Sequence, residues 1–358
     1  MTMQSKMLHS GKMPSDIAAC RELLRGGSRT FFAASLVLPS RVSEPAIALY
    51  AFCRLADDAV DLGSDRKAAV VRLQDRLDCA YRGHPMQAPA DRAFADVVNR
   101  FAIPRELPEA LLEGLAWDAE GRRYETLSDL YAYAARVAGT VGAMMTLVMG
   151  QRDPQIVARA CDLGVAMQLT NIARDVGEDA RAGRLYLPLQ WLRDAGIDPD
   201  AWLARPMFNR EIAAIVQRLL DIADGLYDRA TQGIKNLPRS CRPGIYAARA
   251  LYAEIGRELE RAGLDSVSRR AIVSTRRKLA VLGRMAALVQ TEWTPAKRLG
   301  FSLPQLDETA FLVSAVAASS ARIGTKDTKR GSVEDRVVWV IDLFERLERR
   351  DQLQRGRS

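Results

Sequence analysis

The chain has 358 residues, of which 48% are hydrophobic, so it can bury a sizeable core in one large domain or two ordinary ones. Its formal net charge of +8 favours an anionic partner, such as nucleic acid, an anionic membrane surface or a phosphorylated substrate. Nucleic acid is disfavoured as a partner, because the basic residues are dispersed, aromatic residues make up only 6% and no zinc-finger or RNP-type motif occurs.

Helical periodicity runs through the chain, and no convincing alternating strand pattern occurs. We therefore predict an all-α fold with three parts: a flexible polar segment at 1–15, a helical catalytic domain at 16–290, and a basic extension at 291–358. The first long helix should begin near Glu44-Pro45, with the proline in its first turn. Apolar spacing predicts the following further helices: 16–25, 66–82, 92–101, 106–120, Asp129 to about 145, Asp153-Pro154 to about 179, 208–233, 240–262, 268–289 and an amphipathic helix at 333–350.

An acidic cluster ends the helix that is predicted to begin near residue 44. Asp57 and Asp61 are spaced i, i+4, and Asp58 and Asp61 are spaced i, i+3, so their side chains lie close together on a helix. Taken alone, this cluster also fits a purely structural role: a solvated helix end with Arg54 as an ion-pair partner.

A second polar ladder lies on the helix that begins near residue 153. Asn171, Asp175 and Asp179 fall at i, i+4 and i+8, and therefore share one face. If the two acidic faces lie opposite each other, they repel unless a cation lies between them. Carboxylates together with substrate phosphates suit Mg²⁺. The two clusters therefore predict a Mg²⁺–diphosphate site between two helices.

Three segments resemble motifs of the squalene/phytoene synthase family, and within it the bacterial phytoene synthases. Residues 50–61 (YAFCRLADDAVD) are similar to the first aspartate-rich region of the family, and residues 168–188 are similar to the second. Residues 131–142, which contain Ala-Gly-Thr-Val-Gly, are similar to a third segment. The first motif also occurs in chain-elongating prenyltransferases and terpene cyclases, whereas the long second motif is specific for the head-to-head condensing branch. The resemblance covers roughly residues 20–290.

The resemblance implies an isoprenoid-synthase helical bundle around a central cavity. It implies that two geranylgeranyl diphosphates condense to phytoene through prephytoene diphosphate in carotenoid biosynthesis, with Mg²⁺, or Mn²⁺ in its place, and without NADPH. The implied metal ligands are Asp57, Asp58, Asp61, Asn171, Asp175 and Asp179. The implied substrate contacts are Arg54, Arg174, Arg184, Arg270, Ser28, Thr30, Phe31, Gln168 and Asn171. Together with the five aspartates, Tyr50 and Tyr186 are the expected catalytic residues, because a phenol face attracts a carbocation.

Two alternatives stay open. A squalene-type synthase would join farnesyl diphosphates and reduce the intermediate with NADPH, and the residues alone do not fix the chain length. A non-catalytic relative acting as a binding or assembly protein would be expected to have lost aspartates, yet all five are present.

We expect a cytoplasmic protein that contacts the inner face of the cell membrane peripherally. The five cysteines form no CxxC pair, the N-terminal residues lack the apolar core of a secretory signal, and the apolar run 137–149 is too short to span a bilayer. A C40 hydrocarbon cannot usefully be released into water, and arginines flank the helix predicted at 333–350. Transient contact with neighbouring carotenoid-pathway enzymes is also expected.

Overall fold

The computed structural model describes residues 13–27, 38–61, 66–291 and 303–320. Within these ranges the chain is helical and contains no strand, which confirms the all-α prediction. The helices are α1 (Met13–Gly27), α2 (Ser40–Asp61), α3 (Arg66–Tyr81), α4 (Pro89–Arg100), α5 (Glu106–Ala119), α6 (Leu127–Ala134), α7 (Thr140–Val148), α8 (Pro154–Arg181), α9 (Leu189–Asp194), α10 (Pro199–Ala204), α11 (Arg210–Ile234), α12 (Arg242–Arg261), α13 (Thr275–Thr291) and α14 (Ala310–Ser320).

Helix α8 is the central element of the bundle and packs against α7, α11, α12 and α14. The sequence determines its start: the Asp153 side chain accepts hydrogen bonds from the backbone N–H groups of Gln155 and Ile156, and Pro154 occupies the first turn. Most of its residues are buried, which explains why its apolar periodicity is easy to recognise.

Helix α2 begins earlier than the sequence predicts, at Ser40 rather than near Glu44-Pro45. The carbonyl of Pro39 accepts the N–H groups of Val42 and Ser43 at 2.8 Å, so it forms the first turn. Pro45 therefore lies inside the helix. Farther along α2, Phe52 stacks on Phe94 of α4 with ring centroids 3.9 Å apart, and this contact fixes α2 against the bundle.

Two other helix starts differ from the prediction. Helix α6 begins at Leu127 rather than Asp129, because Thr126 and Asp129 form a capping box in which each side chain binds the other's backbone N–H. Helix α13 begins at Thr275 rather than at residue 268, and the intervening residues form a loop.

A π-helical turn, Ala135–Gly139, joins α6 to α7 and was not predicted. The adjoining helices approach α8 so closely that their backbones touch. A Cβ added at Gly142 would lie 2.2 Å from the Ala160 carbonyl oxygen, and one added at Gly164 would lie 2.3 Å from the Ala138 carbonyl oxygen. Only glycine permits these two crossings, so the many small residues of this segment serve close helix contact.

Residues 303–320, part of the expected C-terminal extension, pack on the helical domain, where Leu312 and Val316 are fully buried. The amphipathic helix predicted at 333–350 lies outside the described residues, as do residues 1–12 of the expected flexible segment. No helix in the described ranges is both long and apolar enough to cross a bilayer.

Candidate active site

The first acidic cluster lies at the end of α2, where Arg54 is paired with two carboxylates. Its Nε and Nη2 lie 3.0 and 2.7 Å from the two oxygens of Asp58, and its Nη1 lies 3.5 Å from Asp57 Oδ2. Asp61 is the last residue of α2, and its side chain lies outside the described part. The ion pair expected for a solvated helix end is therefore present. It occupies the same carboxylates that the metal hypothesis uses.

The second cluster lies in the last three turns of α8, where two arginines bind one carboxylate. Arg174 Nε and Nη2 lie 2.7 and 2.5 Å from the oxygens of Asp175. Arg270 Nε and Nη2 bind the same two oxygens at 2.8 and 3.2 Å, and its Nη1 lies 3.5 Å from Glu178. Asp175 is therefore held by two guanidinium groups, one from its own helix and one from the loop before α13.

The loop that carries Arg270 is docked on α8 by direct backbone contact. The N–H of Gly177 donates to the Ser266 carbonyl at 3.0 Å, and Arg181 Nη1 donates to the Val267 carbonyl at 3.0 Å. A Cβ at Gly177 would lie 2.0 Å from that same Val267 oxygen. A glycine two residues beyond Asp175 is therefore what lets Arg270 reach it.

Asp179 lies one turn beyond Asp175 in a more enclosed position. The pKa of its carboxyl is raised to about 7, chiefly by burial and also by the negative charges of Asp175, Asp118 and Glu178, which Arg184 partly offsets. A cavity of about 10 Å³ adjoins it. Its lining comprises Ile172, Val176, Asp179, Arg184, Leu185, Tyr186 and Leu187. The surroundings of Asp179 therefore carry more negative than positive charge, which is the condition that a bound cation would relieve.

Three tyrosines surround Asp118, a residue of α5 that sequence reasoning did not identify as part of the site. Tyr186 donates its hydroxyl to Asp118 Oδ1 at 2.7 Å, and Tyr133 donates to Oδ2 at 2.8 Å. The Tyr133 ring centroid lies 5.3 Å from that of Tyr186 and 5.1 Å from that of Tyr124. Burial raises the pKa of Tyr133 and Tyr186 far above the ordinary value, so both phenols keep their protons. Asp118 continues the stripe of Leu111 and Leu115 on α5, and a carboxylate on that apolar stripe was the available signal.

Tyr252 of α12 interacts electrostatically with residues of both acidic helices, and no pattern in the sequence indicated it. The pKa of Tyr50 on α2 is raised to about 12, chiefly by burial; Arg54 opposes this rise, while Tyr252 and Asp57 add to it. The same Tyr252 raises the pKa of Arg174 on α8. Tyr252 is therefore close enough to interact electrostatically with both helices, which brings the two acidic motifs to one region of the fold.

A central space is indicated by side chains that stay partly exposed in the middle of the bundle. On α8 these include Met167, Gln168 and Asn171, although α8 is covered by neighbouring helices on its other faces. Ala138 and Val141, beside the π turn, are partly exposed as well. Their partial exposure is consistent with the central cavity expected for this fold. The predicted contacts Ser28, Thr30 and Phe31 lie outside the described residues.

Carboxylates are the donor type that suits a hard divalent cation. Asp57, Asp175 and Asp179 offer carboxylate oxygens, and burial together with the neighbouring Asp175 raises the pKa of Asp179. Among the side chains that the structure describes, no group of three or more histidine, cysteine or acidic residues is arranged as a metal site. Arginines instead bind the carboxylates of Asp57 and Asp175.

Comparison with known proteins gives a consistent result. A sequence profile described as squalene/phytoene synthase matches residues 24–278. The chain is 55% identical over 307 residues to "Phytoene synthase" of Rhodobacter capsulatus, a match that covers 85% of this chain and 90% of that protein. It is 41% identical over 272 residues to "15-cis-phytoene synthase" of a Paracoccus species, covering 73% and 88%.

Solved structures resemble the fold. A dehydrosqualene synthase in complex with a ligand is 29% identical with a TM-score of 0.71, covering 78% of this chain and 98% of that chain. The squalene synthase HpnC from Alicyclobacillus acidocaldarius is 26% identical with a TM-score of 0.64, covering 70% and 95%.

Proposed function

The chain belongs to the squalene/phytoene synthase family, and we propose that within this family it is a phytoene-forming prenyltransferase of bacterial carotenoid biosynthesis. It condenses two geranylgeranyl diphosphates head to head through prephytoene diphosphate and releases diphosphate. The observation that carries this function is the identity of 55% and 41% to proteins named phytoene synthase, over most of the chain. The squalene-type alternative rests on solved structures that are 29% and 26% identical.

The carboxylates of the two acidic motifs are the groups that would bind Mg²⁺ in the substrate complex. Asp57 with Asp61 on α2, and Asp175 with Asp179 on α8, supply hard oxygen ligands from two helices. Bound Mg²⁺ would neutralise the charge that develops on the departing diphosphate. Asp179 supports this role, because burial and its acidic neighbours already disfavour its negative charge without a cation.

The arginines of the site would exchange partners when the substrate binds. Arg54 is held by Asp58, and Arg174 and Arg270 are held by Asp175. As the carboxylates turn towards the metal, the guanidinium groups become available for bidentate contacts with diphosphate oxygens. The resting ion pairs hold these side chains in position before the substrate arrives.

The tyrosines beside Asp118 would stabilise the cationic intermediate. Tyr186 lines the small cavity with Asp179 and Arg184, so its ring lies next to the diphosphate end of the site. A phenol ring attracts a carbocation and excludes water, which would otherwise quench an allylic cation. Asp118 is a positioning residue here, because it acts by holding the hydroxyl groups of Tyr133 and Tyr186.

A peripheral location at the inner face of the cell membrane is part of the proposal. A C40 hydrocarbon partitions into lipid, the net charge of +8 favours anionic headgroups, and neighbouring pathway enzymes could take the product there. Sedimentation with anionic vesicles, compared with neutral ones, tests this location. Enrichment in the anionic pellet supports it, and equal recovery in the supernatant in both cases contradicts it.

A product assay tests the catalytic function. Purified protein is incubated with Mg²⁺ and either geranylgeranyl or farnesyl diphosphate, with and without NADPH, and the extracted hydrocarbon is identified by mass. A C40 triene formed without NADPH is the expected product. A reduced C30 product from farnesyl diphosphate would assign the enzyme to the squalene branch, and folded protein that forms no hydrocarbon would favour the non-catalytic alternative.

A further inference from the structure

We propose that residues 303–320, which we call the strap, fix one wall of the hydrocarbon cavity and thereby help to select the length of the prenyl chain. The inference rests on the proposed function for the nature of the substrate. The strap comprises residues 303–306, a 3₁₀ turn at Asp307–Thr309 and α14. It lies beyond residues 24–278, the part that the family profile matches.

Two arginines, the fully buried Arg159 and the half-buried Arg229, anchor the start of the strap. The carbonyl of Pro304 accepts hydrogen bonds from Arg159 Nη2 at 3.1 Å and Arg229 Nη2 at 2.6 Å. Both arginines are ion-paired with Asp162 of α8, which is fully buried, at 3.1 and 3.0 Å. Without the strap the buried Arg159 would lose the Pro304 acceptor, and an unsatisfied buried donor is costly. The strap therefore contributes a hydrogen-bond acceptor to a buried charged cluster inside the domain.

The apolar side of the strap packs behind the π turn. Leu312 is fully buried, and a Cβ added at Gly139 would lie 3.5 Å from Leu312 Cδ1, which is ordinary van der Waals contact. Leu312 therefore lies beside Gly139, with room for no more than a small side chain between them. Helix α14 also packs against α5, α7 and α8, the elements that surround the turn.

Polar and aromatic contacts on the surface tie the strap to the same region. Glu308 accepts a hydrogen bond from the Ser128 hydroxyl at 2.5 Å. The Arg136 guanidinium, within the π turn, lies 5.2 Å from the Phe311 ring centroid. At the far end, Arg152 Nη1 donates to Ser319 Oγ at 2.9 Å. The contacts are distributed along the whole strap, so it follows the segment that joins α6 to α8.

We infer that the π turn forms one wall of the central cavity, because Ala138 and, one turn later, Val141 stay partly exposed within an otherwise buried segment. The backbone of Ala138 also touches α8 at Gly164, so the turn is held between α8 and the strap. A π turn is less regular than an α-helix and is frequent at functional sites. A change of volume at residue 312, which lies beside Gly139, is therefore expected to displace this wall.

The test uses Leu312→Phe and Leu312→Ala in the full chain, in competition assays with equal geranylgeranyl and farnesyl diphosphate. Leu312→Phe should push the wall inwards and lower the C40 to C30 product ratio by about tenfold, a change typical of one small apolar group in a pocket. Leu312→Ala should shift the ratio in the opposite direction. Phe311 is partly exposed, so Phe311→Ala should affect folding little. This variant should shift the product ratio in the same direction as Leu312→Ala, but by a smaller factor.

Leu77→Ala is the matched control, because Leu77 is equally buried but lies on α3, which packs against α2, α4 and α5. It should lower the melting temperature and leave the product ratio unchanged. If the Leu312 and Phe311 variants also change only the melting temperature, the strap has no part in selectivity and the proposal is wrong. The wild-type product reports separately on the proposed function, since the ratio can shift whichever hydrocarbon predominates.

Discussion

Tyr186 and Asp118 are joined by a 2.7 Å hydrogen bond that links the second family motif to a helix outside all three motifs. Tyr133 uses the other oxygen of the same carboxylate at 2.8 Å. One aspartate thus orients two buried phenols. Since Tyr186 shares a cavity lining with Asp179, this contact connects the aromatic side of the site to its acidic side.

Asp118→Asn should lower kcat by about a hundredfold, the scale found when one preorganised polar group is removed from an active site. An amide offers one acceptor oxygen instead of two, so one of the two phenols loses its partner. The KM should change much less than kcat, because the substrate does not contact Asp118 directly. Steady-state kinetics measure both constants.

Asp78→Asn is the control for that substitution, because Asp78 is an aspartate of α3 that pairs with Arg105 and Arg82 away from the two motifs. It should retain wild-type kinetics. In addition, Asp118→Asn combined with Tyr186→Phe should lose less activity than the product of the single effects. Full additivity would show that Asp118 does not act through Tyr186.

Asp57→Asn and Asp175→Asn should each abolish turnover while the helical circular dichroism signal stays near that of wild type. The neutral amide is a weaker ligand for a hard cation than the carboxylate, and it does not balance the positive charge of the metal. Inorganic diphosphate with Mg²⁺ should raise the melting temperature of the wild type and raise that of either variant much less. Asp200→Asn, at an exposed ion pair with Arg123, should behave as the wild type. Activity retained in Asp57→Asn or Asp175→Asn would refute the metal role of that residue.

Arg270→Gln should raise KM for the diphosphate substrate, since it removes a guanidinium that now binds Asp175 through two nitrogens. Arg270→Lys should recover only part of the loss, because an ammonium group lacks the planar fork that matches phosphate oxygens. Initial-rate measurements over a range of substrate concentrations give the KM of each variant. Equal KM values for wild type and Arg270→Gln would exclude Arg270 from diphosphate binding.

Gly177→Ala should damage both the fold and the site. The new Cβ would meet the Val267 carbonyl oxygen at 2.0 Å, so the loop that carries Arg270 must move away from α8. We expect a destabilisation of about 1–3 kcal/mol, the usual cost of overpacking, together with a raised KM as in Arg270→Gln. Thermal unfolding and kinetics on the same preparation measure the two effects.

Gly225→Ala provides the opposite case on α11, where an added Cβ would meet nothing within 4 Å. Replacing a helical glycine by alanine at an unhindered position should stabilise the protein by about 0.5–1 kcal/mol without a kinetic effect. If Gly177→Ala were as harmless as Gly225→Ala, the docking of the Arg270 loop on α8 would not be as close as described.

The features that could be predicted from the sequence are those determined by residues close together in the chain. The sequence predicts α8 and its cap well, since Asp153, Pro154 and the apolar period act within a few residues. It also predicts the face shared by Asn171, Asp175 and Asp179, because helical spacing alone determines it. The start of α2 was placed too late, since Pro45 was assumed to lie in the first turn, whereas the Pro39 carbonyl begins the helix.

The features that were missed depend on contacts between distant parts of the chain. Asp118 becomes a site residue only when Tyr133 and Tyr186 fold onto it, and Tyr252 only when α12 packs beside α8. Periodic patterns in the sequence do not indicate contacts of this kind. The family resemblance indicated Arg270, but its route to Asp175 depends on Gly177, whose purpose is visible only in three dimensions.

The two glycine crossings between the α7 segment and α8 also limit how this enzyme can change over generations. At Gly142 and Gly164 even the smallest side chain would collide with a carbonyl oxygen at 2.2 or 2.3 Å, so a substitution there requires the helices to move apart. We expect heritable variation in the shape of the cavity to arise instead at side chains that stay partly exposed, such as Val141 and Met167. Laboratory libraries aimed at new hydrocarbons would accordingly gain more from diversifying those two positions than from sampling the glycines.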